Sequence, residues 1–122
     1  MRYRFSMGGI LKREKKMISA HWEEILQTIE SYLQSLFPEY VIERVKDPLR
    51  SQLFTKYFFR IKDAGGEIRH RFSVSYDFLD HHTPNESIVY FEKRQVKRLL
   101  EEAGRNEILA TVDGIRVIRR KE

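Results

Sequence analysis

Residues 53–78 read LFTKYFFRIKDAGGEIRHRFSVSYDF, and the architecture follows from them. From Glu67 to Phe78 the pattern alternates: Ile68, His70, Phe72, Val74, Tyr76 and Phe78 share one face, and Arg69, Arg71, Ser73, Ser75 and Asp77 the other. Period-two alternation places a strand with one face on a core. The preceding run, Leu53 to Lys62, predicts a second strand. Leu53, Thr55, Tyr57, Phe59 and Ile61 make its better core face, and Phe54, Lys56, Phe58, Arg60 and Lys62 its other face. Asp63-Ala64-Gly65-Gly66 between them supplies the glycines a hairpin loop needs.

Upstream, Tyr40 to Val45 is short and β-rich, and Asp47 to Ser51 reads as a turn because Pro48 disfavours helix at Asp47. Before that, Trp22, Ile25, Leu26, Ile29, Leu33 and Leu36 recur at helical spacing; Ser19 is placed to cap this helix and Pro38 to stop it. Downstream, Leu79 to His82 is expected to be a loop. Thr83-Pro84-Asn85-Glu86 is a capping-box start for a helix running through Ile88, Phe91, Val96, Leu99 and Ala103 to Gly104. Residues 88–91 also have strand propensity, and helix is the favoured reading. Asp113-Gly114 between two β-rich runs signals a closing hairpin. The expected fold is therefore α+β: an antiparallel sheet of about five strands in the order α-β-β-β-α-β-β, with two helices packed on one face. Its opening matches the element order of double-stranded-RNA-binding domains. Thr83-Pro84-Asn85-Glu86 stands where those domains have a basic, glycine-containing helix start, so no family is assigned.

The 122 residues suit one domain, and 41% hydrophobic content supports a core. There is no cysteine, which excludes disulfides, thiolate metal sites and cysteine nucleophiles and fits a reducing cytoplasm. No apolar run reaches the roughly 18 residues of a membrane span. The net charge of +5 and pI near 9.6 invite a nucleic-acid reading. Residues 1–16, however, hold six basic side chains and one acid, leaving 17 of each sign in residues 17–122. The leader has Gly8-Gly9 and no sustained periodicity, and Arg13-Glu14 can be encoded by a purine-rich ribosome-binding stretch ahead of Met17. The expectation is a disordered leader over 1–16, with natural translation beginning at Met17 and one α+β domain over 17–122. A basic arm for nucleic acid is the competing reading.

The candidate binding residues lie on the outer face of the second and third strands: Phe54, Lys56, Phe58, Arg60, Lys62, Arg69 and Arg71. Aromatics interleaved with cations suit a protein or homodimer contact, or stacked bases with phosphates. They also suit a solvated face on which cationic stems cover the phenylalanines. Asp77, Asp80, His81 and His82 are weak metal-ligand candidates, because adjacent side chains rarely reach one ion together. His70 reads as a hydrogen-bonded boundary histidine, and His21 as exposed. Acid–base work by Asp80 with His81 or His70 is the remaining catalytic option, and no nucleophile elbow, phosphate loop or His-Glu-x-x-His motif accompanies it. The sequence therefore points to a non-catalytic interaction domain, with no cofactor and no membrane partner, using the sheet face or an edge strand. Nucleic-acid binding is the alternative.

Overall fold

The computed structural model describes residues 20–45 and 56–119. The leader, Ser19, the Asp47–Ser51 turn and Leu53 to Thr55, including Phe54, lie outside the described residues. Helix α1 (Ala20–Leu36) buries Ile25, Leu26, Ile29 and Leu33 and ends just ahead of Pro38. Strands β1 (Val41–Val45), β2 (Lys56–Lys62) and β3 (Ile68–Ser75) follow. After three helices come β4 (Glu107–Thr111) and β5 (Gly114–Ile118). The five strands are neighbours in chain order, β1-β2-β3-β4-β5. Among the described residues no helix is long and apolar enough to cross a membrane.

The α+β class, the five strands and their alternating faces agree with the sequence reading. At the β2–β3 hairpin, Asp63 Oδ1 accepts from the amides of Gly65 and Glu67, both at 3.0 Å, and Gly66 takes φ +87°. The side chain holds the turn, and the glycine supplies a backbone angle other residues adopt at a cost.

Three expectations need correction. The sheet is mixed, because β4 runs parallel to β3, pairing Arg71 with Glu107 and Val74 with Ala110. The helices between them carry the chain back to the end of the sheet where β3 began. A strand re-entering beside β3 from that end must run parallel. Second, β3 stops at Ser75, whose hydroxyl caps the amide of Phe78 at 3.1 Å and opens α2 (Tyr76–His81). Phe78 and Leu79, consecutive in that helix, are both fully buried. Third, the helix expected over 84–103 is two: α3 (Pro84–Lys93) and α4 (Val96–Ala103), broken by the left-handed conformation of Gln95 at φ 55°. Among the described residues there are thus four helices where two were expected.

The capping box at Thr83 and Glu86 is present in both directions, at 3.2 and 2.9 Å, and residues 88–91 are helical. All four helices contribute to one core against the inward residues Phe59, Ile61, Phe72, Val74, Ile108 and Ala110.

Candidate interaction surface

Cross-strand register defines the outer face row by row. One row runs Val45, Phe58, Ser73, Leu109, Arg116; the next runs Glu43, Arg60, Arg71, Glu107, Ile118. Of the sequence-derived candidates, Lys56, Phe58, Arg60 and Arg71 lie on these rows or beside them, with Lys62 and Arg69 towards the β2–β3 hairpin. A bulge between Ile61 and Lys62 shifts the register there. Phe54 lies outside the described residues.

The cations on this face are engaged. Lys56 Nζ donates to Glu107 Oε2 at 2.8 Å and lies 5.0 Å from the centre of the Phe58 ring. The same carboxylate oxygen accepts from the fully buried hydroxyl of Ser73. Lys62 and Arg60 meet Glu43 at 3.0 and 3.5 Å. The close approach of the Lys62 ammonium, helped by the positive charge of Arg60, holds the Glu43 carboxyl below the usual carboxylate range, against a smaller opposing effect of burial. Arg69 lies 3.5 Å from Asp63, and Arg71 donates to the carbonyl of Arg105 at 2.7 Å. Glu107 was not singled out in the sequence. Its alternation with Leu109 and Thr111 marks it as outward, but only the parallel β3–β4 register brings it to Ser73 and Lys56.

The acidic and histidine cluster of α2 does not converge. Asp80 accepts from Trp22 Nε1 at 2.7 Å, and His81 Nδ1 lies 2.8 Å from the carbonyl of Asp77. His82 stacks on Phe78 with ring centres 3.9 Å apart. Among the described residues no group of three or more metal-ligating side chains could hold an ion. His70 Nδ1 is 3.2 Å from the carbonyl of Gly104, and its ring packs on Phe37 at 5.0 Å, as a boundary histidine does. It lines a shallow cleft of about 450 Å³ with Phe37, Tyr40 and Lys97. His21 is exposed, with Nε2 3.0 Å from the carbonyl of Leu79.

The β5 margin is different. Helix α1 flanks β1, where Arg44 forms ion pairs with Glu23 and Glu30 at 2.9 and 3.2 Å. Helices α2 and α4 pack chiefly on β3 and β4, and on β5 Ile115 is packed against the core. Val117 projects on the helix side of the sheet, in the row of Phe59, Phe72 and Ile108, yet remains 48% exposed. Arg116, on the outer side, is exposed and forms no ion pair among the described residues, and no described strand takes the far edge of β5. Compared with known protein families, curated proteins and solved structures, the chain has no significant match.

Proposed function

We propose that this chain is a small non-catalytic interaction domain that contacts protein by strand addition at β5. The observation that carries this reading is Val117: an apolar side chain in a core-facing row, 48% exposed on a strand whose far edge no described strand takes. An added strand would satisfy the edge amides and carbonyls and cover Val117 together, which is how extended segments gain affinity and selectivity. Arg116 and Arg119 next to it limit indiscriminate pairing. Nucleic-acid binding through the basic sheet face has less support, because the carboxylates that engage Lys56, Arg60, Lys62 and Arg69 would compete with phosphates for those cations. The cysteine-free composition fits a protein that works in the cytoplasm.

The test is a photo-crosslinking residue introduced at position 117 or, separately, at position 58, in cells producing the protein. Adducts at 117 and not at 58 are expected. Adducts at 58 alone would move the contact to the sheet face, and absence at both positions would overturn the interaction reading.

A further inference from the structure

We infer that the occupant of the β5 edge is a second copy of this chain, paired antiparallel about a two-fold axis through Val117, so that two five-stranded sheets become one. This rests on the edge-strand reading above and adds the identity of the partner.

The backbone sets the first condition. Thr111 and Gly114 face each other as the closing pair of a two-residue hairpin. Such closing pairs are hydrogen-bonded, and bonded and non-bonded pairs alternate along an antiparallel ladder. Gly114, Arg116 and Ile118 then bond to β4, while Ile115, Val117 and Arg119 turn their amides and carbonyls to the free edge. A two-fold at Val117 makes Val117 of both copies a hydrogen-bonded pair, so the centre of the new ladder falls where the donors and acceptors already point.

Side chains select this register. A two-fold at Arg116 would set two arginines face to face, which is unfavourable in a cross-strand pair. A two-fold at Val117 instead apposes the two Val117 side chains on the helix side and places Ile115 opposite Arg119, whose stem can lie over it. On the outer side Arg116 comes opposite Ile118 of the second copy. The next residue along that row is Glu107 of the second copy, because Glu107 and Ile118 are register partners. Two strand spacings are about 10 Å, so an extended arginine approaches a carboxylate whose Oε2 is already held by Lys56 and Ser73. Arg116, which forms no ion pair among the described residues of one copy, gains an acidic neighbour in the other copy, beside the Lys56 that already contacts that carboxylate. Two five-residue strands meeting edge to edge form a contact at or below the lower end of stable interfaces, so the association is weak and depends on concentration.

The experiment is the sedimentation-derived mass of the full chain across a wide concentration range, for the natural sequence, Val117→Lys and Val89→Lys. The natural chain is expected to rise from 14.7 kDa towards twice that mass. Val117→Lys, which opposes two ammonium groups across the axis, should lose on the order of tenfold or more in association. Val89→Lys, at an exposed position on α3, should behave like the natural chain, with unchanged circular dichroism in both variants. A mass of 14.7 kDa at every concentration overturns the second copy as partner. In that case position-117 adducts to a different protein would leave the edge reading standing. A dimer that Val117→Lys does not weaken overturns both.

Discussion

Ser73 and Arg116 occupy one cross-strand row, separated only by Leu109, and differ in every physical respect. Ser73 is fully buried on the outer face of a two-layer fold, its hydroxyl donating to Glu107. Arg116 is exposed and forms no ion pair among the described residues. The same contrast holds on the helix side, where Phe72 is fully buried and Val117, in the same row, is 48% exposed. Lateral position in the sheet therefore matters more than residue type. The centre is flanked by strands and covered by helices, and among the described residues the β5 margin has a strand neighbour on one side only. Stability should concentrate at the centre and association at the margin.

The largest effect should come from breaking the centre. Phe72 packs edge-on against Phe91 at 5.3 Å and near Phe59 at 6.4 Å. Phe72→Ala should cost about 3–5 kcal/mol, a large share of the roughly 5–15 kcal/mol available to a domain. Denaturant unfolding would measure it, and a loss below about 1 kcal/mol would show that the centre is not where stability resides.

The polar part of the centre gives the next effect. Lys56 and Glu107 have side chains only 22% and 12% exposed, and Ser73 has none of its surface in water. Glu107→Ala would leave a half-buried ammonium and a buried hydroxyl short of their acceptor, at about 1–3 kcal/mol. Replacing both charges, Lys56→Met with Glu107→Leu, should restore much of that loss, since two apolar side chains need no partner. If the double variant were no more stable than Glu107→Ala, the cluster would owe its burial to something other than mutual satisfaction.

These residues also show what the sequence could and could not disclose. Alternation from Ile68 to Val74 assigned the two faces correctly, because period two depends on local geometry alone. The Thr83 capping box was legible for the same reason. The parallel pairing of β3 with β4 was not, although the helical pattern between them implied a return crossover rather than a hairpin. The Lys56–Glu107 pair was hidden with it, since it joins residues 51 apart through that register. The break at Gln95 carries no glycine or proline, so nothing local announced it. The uncovered state of Val117 depends on where α2 and α4 end laterally, which no single segment encodes.

Glu43 provides the gentlest test, because it lies at the opposite margin of the outer face in the same row as Glu107. Its side chain is 41% exposed, so solvent screens its pairing with Lys62 and Arg60. Its carboxyl titrates below the usual range, chiefly because the Lys62 ammonium lies against the charged form. The folded chain therefore takes up that proton less readily than the unfolded chain. The stabilisation it brings is fully present above the ordinary glutamate value, about 4.3, and is lost as pH falls through the lower folded value. Glu43→Gln should thus change stability little at neutral pH, by less than about 1 kcal/mol, and flatten the acid limb of the stability curve. Added salt should shrink the difference between the two proteins, as it does for exposed pairs. A Glu43→Gln variant with an unaltered acid limb would show that the margin pair contributes nothing, while an effect as large as that of Glu107→Ala would erase the distinction between centre and margin on this face.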